Sequence, residues 1–216
     1  MGTLRVSEIV LSIQGESSRA GLPCVLVRLA GCNLRCSWCD TPQARDSKAG
    51  REMTPEEILA EVQALNCLRV ELTGGEPLLQ DGAADLLRAF CEAGYETLLE
   101  TNGSVDISAV DSRVRRIVDV KCPSSGHVEA NLWENLGLLT DRDEVKFVIA
   151  DREDYDFAKT VLQKNSLAKK CAVFFSPVWE KLPASTLAEW ILADRLDVRL
   201  GMQLHKILWP KENQGR

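Results

Sequence analysis

Residues 24–41 read CVLVRLAGCNLRCSWCDT, an apolar run broken only by Arg28 that passes directly into a loop carrying Cys32, Cys36 and Cys39. The run has the length and branched side chains of a buried strand, so the cysteines sit on a strand-end loop. Runs of the same kind recur at LRVELT (68–73), YETLLET (95–101), RIVDVK (116–121), EVKFVI (144–149) and AVFFS (172–176). Helix-like stretches fit between them. In TPEEILAEVQAL (54–65) Thr54 is an N-cap, Pro55 stands at the first helical position and Glu57 completes a capping box. DGAADLLRAFCEAG (81–94) ends on Gly94, a natural residue just past a helix. Alternation of this kind predicts parallel βα units, with LRVSEIVLSI (4–13) and VRLGMQLH (198–205) as strands at the two ends. A closed eightfold barrel takes about 250 residues. Six core strands in 216 residues predict an α/β fold in one domain, residues 1–216, built as a partial, laterally open (β/α)6-type TIM barrel. Functional loops of such a fold follow the strand C-terminal ends. There the cysteine loop (31–41), TGGEP (73–77), ETNG (100–103), DVKCPSSG (119–126) and FFSPVW (174–179) would face one mouth.

Net charge is −6 and the pI is near 5.1, a field that repels a phosphate backbone and argues against direct contact with nucleic acid. No apolar run approaches the roughly 20 residues that cross a bilayer. MGTLRVSEIV lacks the charged flank and apolar stretch of a signal peptide. A cytoplasmic protein with no membrane partner is expected. Eight cysteines in a reducing compartment do not read as a disulfide framework. Cys24, Cys67, Cys91, Cys122 and Cys171 are scattered and are expected to be small buried hydrophobes. Metal chemistry falls to the local three.

A structural zinc site needs four ligands, and Cys67 or His205 could supply the fourth. An iron–sulfur cubane wants a thiolate on each of four irons, so three cysteines leave one iron open to a substrate or cofactor. An iron–sulfur electron carrier or a zinc-stapled binding module is the alternative without turnover, but neither needs TGGEP facing the cysteines. C-x3-C-x2-C, with Trp38 immediately before the last cysteine, resembles the radical S-adenosylmethionine superfamily. There the open iron chelates the amino and carboxylate groups of S-adenosylmethionine. TGGEP is explicable as a tight turn, but one strand unit after the cysteines it resembles the superfamily segment that binds the cofactor's amino group. Its two glycines let backbone approach a ligand closely.

IQGES (13–17) with Gly21 and Pro23 after it, VRLAGCNLRCSWCDT, TGGEP, ETNG, DVKCPSSG, EVKFVI and MQLHK (202–206) together resemble the 7-carboxy-7-deazaguanine synthase family. The resemblance runs from residue 8 to about residue 210, with a C-terminal substrate-site segment at about 198–210. Activases of glycyl-radical enzymes share the cysteine loop and are the rival within the superfamily, but their substrate is a protein backbone. The resemblance implies a carbon–nitrogen lyase that converts 6-carboxy-5,6,7,8-tetrahydropterin to 7-carboxy-7-deazaguanine with loss of ammonia, toward queuosine and related 7-deazapurines. A 5′-deoxyadenosyl radical takes hydrogen from C6, the substrate radical rearranges, and hydrogen returns. The implied cofactors are a [4Fe-4S] cluster, S-adenosylmethionine and Mg2+. An external one-electron reductant such as a flavodoxin or ferredoxin is implied, as is a homodimer.

Residue roles follow from the same resemblance. Cys32, Cys36 and Cys39 hold the cluster, and Thr41 of the CDT ending is a magnesium ligand; its alternative is to cap the next turn. The pterin edge presents N–H and NH2 donors, which suits Glu16 as a bidentate acceptor and Gln14 as its partner, with Ile13 and Gly15 as backbone contacts. Without a substrate, the segment is a turn ending a strand. Arg28 would meet the substrate carboxylate or, alternatively, pair with Glu76 or Glu100. Thr73 and His205 are further substrate contacts. Trp38, Gly75, Lys121 and Ser176 fall to S-adenosylmethionine. In some relatives the chain ends near the equivalent of Pro210 and its carboxylate lines the site; here KENQGR follows.

Overall fold

The computed structural model describes residues 2–210, and the tail KENQGR (211–216) lies outside the described residues. The chain opens with β1 (Leu4–Ile13), β2 (Pro23–Leu29) and β3 (Arg51–Met53). It continues through α1 (Pro55–Ala64), β4 (Arg69–Gly74), α2 (Ala83–Glu92), β5 (Glu96–Thr101), β6 (Arg115–Val120) and β7 (Glu144–Ile149). α3 (Arg152–Lys164), β8 (Ala172–Pro177), α4 (Ala184–Asp194), β9 (Arg199–Leu200) and α5 (Leu204–Leu208) complete it. One nine-stranded sheet runs in the order β3-β1-β2-β4-β5-β6-β7-β8-β9. The strands from β2 to β9 are parallel, while β1 lies antiparallel to β2 and β3 antiparallel to β1. Parallel strands joined by helices in an open sheet are the partial barrel expected from the strand count, and each of the six core strands falls within a residue of its expected limits.

Local chemistry explains the elements. The Thr54 hydroxyl accepts from Glu57 N–H at 3.2 Å and the Glu57 carboxylate from Thr54 N–H at 2.8 Å, the reciprocal pair that starts α1. Alternation along the strands then sorts the side chains. Val25, Val27 and Leu29 of β2, Val70 and Leu72 of β4, Val118 and Val120 of β6, and Val145, Phe147 and Ile149 of β7 turn outward into a core shared with Ile58, Leu86, Leu87, Phe90, Tyr155 and Leu187 of the helices. Burying one such aliphatic side chain stabilises the fold by roughly 1.5–3 kcal/mol. The residues between them face a cavity and are largely polar: Arg28, Glu71, Thr73, Glu100, Asp119 and Lys146.

Two expectations are corrected. Residues 198–205 do not form a strand: only Arg199–Leu200 pair with β8, and Leu204 opens a helix. Gly201 is the cause of the departure. Its N–H donates to Phe175 O at 2.8 Å, and a β-carbon there would overlap the Ser176 hydroxyl, so the chain passes tightly over β8 and leaves the sheet. The β5–β6 and β6–β7 connections, expected to alternate with helices, contain no α-helix among the described residues. Pro123, Gly126 and Gly137 break the second into one-turn 3₁₀ pieces. Asparagine side chains stand in for helical bonds. Asn131 Oδ1 accepts from Lys121 N–H at 2.8 Å, and Asn135 Nδ2 donates to Gly103 O at 3.2 Å and Val105 O at 2.9 Å.

Candidate active site between the cysteine loop and the barrel floor

The segment after β1 does not stand at the mouth with the other motifs. Because β1 is antiparallel to β2, its end at Ile13 lies beside Pro23, where β2 begins. Residues 14–22 therefore cross the barrel at the N-terminal ends of its strands. Ser18 N–H and hydroxyl donate to Glu144, the first residue of β7, and Arg19 pairs with Glu96, the first of β5. This crossing makes a floor, and Glu16 rises from it into the cavity.

The cysteine loop forms the opposite end. Gly31 N–H donates to Ala44 O at 2.8 Å and Cys32 N–H to Arg45 O at 3.3 Å, which closes the base of the loop. Leu34 N–H lies 3.4 Å from Cys32 Sγ and Asn102 Nδ2 3.8 Å from it, donors of the kind that tune thiolates and cluster potentials. Burial raises the Cys36 thiol above its ordinary range, opposed by the positive charge of Lys121. Three thiols on one loop at the cavity, with donors on one sulfur, suit the three-thiolate cluster that the resemblance implies. Cys67 cannot join them: its sulfur lies 3.4 Å from Pro23 O, at the floor end of the sheet.

The glycines of TGGEP also serve the packing of the loop. β-Carbons at Gly74 or Gly75 would overlap the Leu29 and Gly31 carbonyls, so the glycines let the end of β4 press against the base of the cysteine loop. Gly75 still lines the cavity. Glu76 is fully buried and takes Asn102 N–H at 2.7 Å, Leu78 N–H at 3.1 Å and the Thr101 hydroxyl at 2.9 Å. Burial pushes its carboxyl up and those bonds oppose the rise, so it acts as a brace that fixes the ETNG turn against the cysteines.

Between loop and floor lies a cavity of about 420 Å³, within the roughly 300–1,000 Å³ usual for a small-molecule site. Ile13, Gln14, Gly15, Glu16, Arg28, Trp38, Thr41, Thr73, Gly75, Lys121 and His205 all line it, together with the three cysteines. Ser176 does not: it is buried with its hydroxyl toward Gly201. Arg28 pairs with Glu8 of β1 at 3.5 Å, and neither Glu76 nor Glu100 is its partner. Glu16 Oε2 accepts from Lys146 Nζ at 2.7 Å. Oε1 is buried without a partner. Thr41 bonds Asp40 Oδ1 at 3.0 Å and makes no side-chain cap. His205 and Gln203 reach Asp40 Oδ2 at 3.9 and 3.3 Å, so residues 201–206 run from the β8 edge to Gly15 and Asp40 across the open side of the barrel.

Sequence reasoning did not select Glu71, Glu100, Asp119 and Lys146. Their signal was a charge set among apolar residues, in VELT, LLET, VDVK and VKFV, at the alternate position that faces inward. Gln14 Nε2 donates to Glu71. Burial, reinforced by the neighbouring Glu100, raises Glu71 well above the carboxylate range. For Lys121 and Lys146 desolvation favours the neutral amine but is outweighed by carboxylates, Asp119 for the first and Glu100 and Glu16 for the second, so both are held as cations.

The chain matches the Radical SAM superfamily model over residues 26–164. It is 45% identical to the 7-carboxy-7-deazaguanine synthase of Koribacter versatilis, covering 98% of this chain and 100% of that one. It is 46% identical to the synthase of Chlorobaculum tepidum, covering 98% and 97%. Among solved structures, QueE from Escherichia coli superimposes with a TM-score of 0.77 at 22% identity over 93% of this chain and 94% of that one, a likeness of fold. A cysteine loop facing a polar cavity, set in a chain with relatives this similar over their whole length, places the protein in the radical SAM superfamily and, within it, in the 7-carboxy-7-deazaguanine synthase family.

Proposed function

We propose that the chain carries out the reaction for which its relatives are named, forming 7-carboxy-7-deazaguanine by contracting the ring of 6-carboxy-5,6,7,8-tetrahydropterin with release of ammonia, in 7-deazapurine biosynthesis. The observation that carries this reading is Glu16, a carboxylate held by Lys146 on the floor of a cavity whose far wall is the three-cysteine loop. A carboxylate in that state fits a planar N–H donor edge.

When bound, the cluster at Cys32, Cys36 and Cys39 and S-adenosylmethionine supply a carbon-centred radical, and the protein contributes position and exclusion of water. Glu16, held by Lys146, takes the pterin edge, with Gln14 beside it. Arg28, paired with Glu8 at 3.5 Å and lining the cavity, takes the substrate carboxylate. Thr73 and His205 complete the substrate contacts, while Trp38, Gly75 and Lys121 face the cofactor. Thr41, whose hydroxyl bonds Asp40, would offer its oxygen to a Mg2+ ion, which would supply positive charge beside the substrate carboxylate. On the same reading a flavodoxin or ferredoxin reduces the cluster and the chain acts as a homodimer in the cytoplasm, for which its eight unpaired cysteines are suited. No helix among the described residues is long and apolar enough to cross a membrane.

Anaerobic incubation of cluster-reconstituted protein with the carboxytetrahydropterin, S-adenosylmethionine and dithionite tests the reading. Deazaguanine and ammonia are expected in equal amounts. Cofactor cleavage with unchanged pterin would overturn it.

A further inference from the structure

The network at the bottom of the cavity is larger than a salt bridge requires. Lys146 projects inward from the middle of β7 with only 8% of its side chain exposed, and its ammonium meets Glu16 at 2.7 Å, Glu100, and Asp119 at 4.0 Å. An apolar side chain would fill this position without the desolvation cost that a buried ammonium carries. The network is also not closed on itself. Glu16 Oε1 and Asp119 Oδ1 are both buried and unpartnered, and both residues line the cavity. A purely structural cluster would satisfy these oxygens internally.

Resting on the function proposed above, we infer that Lys146 is a positioning residue of this site: it bonds one oxygen of Glu16 and one of Glu100 and so sets where the Glu16 carboxylate stands in the cavity. The remaining charges around it support that role. Arg28 on β2, Glu71 on β4, Asp119 on β6 and Lys121 just after it face the same space, and Asp40, His205 and Lys206 close it from the cysteine loop and the C-terminal segment. Lys121 is taken by Asp119 at 2.7 Å and Arg28 by Glu8 at 3.5 Å, so Lys146 is the cation bonded to Glu16 and Glu100. Removing it would leave carboxylates in a buried space one positive charge short, which disfavours their ionised forms.

The test compares wild type with Lys146→Met, Lys146→Gln and Lys146→Arg in the pH dependence of kcat/KM for the carboxytetrahydropterin. Methionine and glutamine should each lower kcat/KM at neutral pH by at least about tenfold, chiefly through KM, and move the acidic limb of the profile to higher pH. Arginine should return the limb toward its wild-type position. Iron content and the absorbance of the reconstituted cluster should not change. The glutamine variant separates charge from hydrogen bonding, because its amide can still donate; a wild-type limb in that variant would overturn the inference. So would loss of fold in both neutral variants, which would assign Lys146 to the core. A wild-type enzyme that makes no deazaguanine would instead sink the function itself, and the role of Lys146 with it.

Discussion

Gly15 and His205 touch so closely that a β-carbon at position 15 would overlap the imidazole Nδ1, and Leu204 N–H donates to the Gly15 carbonyl at 2.9 Å. The two residues stand 190 positions apart in the chain. Their contact seats the C-terminal segment on the floor and closes the open side of the barrel beside the cavity.

Gly15→Ala should therefore displace the His205 ring without damaging the cysteine loop. Overpacking of this kind costs about 1–3 kcal/mol, which here is relieved at the half-buried histidine. A fall of roughly tenfold or more in kcat/KM is expected, mostly in KM, with iron content and thermal midpoint near wild type. An unchanged KM would show that His205 does not contact substrate.

Much of this was legible in the sequence because its signals are local. The capping box at Thr54, the apolar runs and the cysteine spacing each depend on neighbours within a few residues. Placement of the IQGES segment was not legible, since it follows from β1 running antiparallel to β2, a pairing of residues up to 23 positions apart from Val6 to Leu29. The role of Glu76 was hidden for the same reason: TGGEP cannot reveal that Asn102 and Thr101 would fold onto its carboxylate. Lys146 was missed because a charge within an apolar strand has meaning only once the inward face of that strand is known.

Replacing Cys32, Cys36 or Cys39 with alanine should abolish bound iron after anaerobic reconstitution, while Cys67→Ser at the floor end should retain it. Iron retained by any of the three single variants, or lost from Cys67→Ser, would contradict the ligand set.

Glu71 offers a stability test with a definite sign. Its folded-state pKa is raised by burial, so the folded chain holds the proton more tightly than the unfolded one. That contribution is fully present below the ordinary glutamate pKa of about 4.3 and is lost as pH rises through the raised value. Glu71→Gln keeps an acceptor for Gln14 and removes the ionisation. Thermal midpoints of variant and wild type should converge near about pH 4, with the variant the more stable at about pH 8. A gap independent of pH would show that Glu71 does not titrate in this way.

Thr41→Ala should blunt the activation of metal-stripped enzyme by Mg2+, and Thr41→Ser should largely keep it, since serine preserves the hydroxyl. Equal responses of the alanine variant and wild type would remove Thr41 from the metal site.

The central claim is that the cavity between the cysteine loop and Glu16 presents C6 of the carboxytetrahydropterin to the cofactor radical. Turnover of substrate deuterated at C6 measures this directly. The account predicts deuterium in 5′-deoxyadenosine or regenerated S-adenosylmethionine, together with deazaguanine formed in excess of cofactor consumed. Deazaguanine formed with no label in either adenosyl species would contradict it.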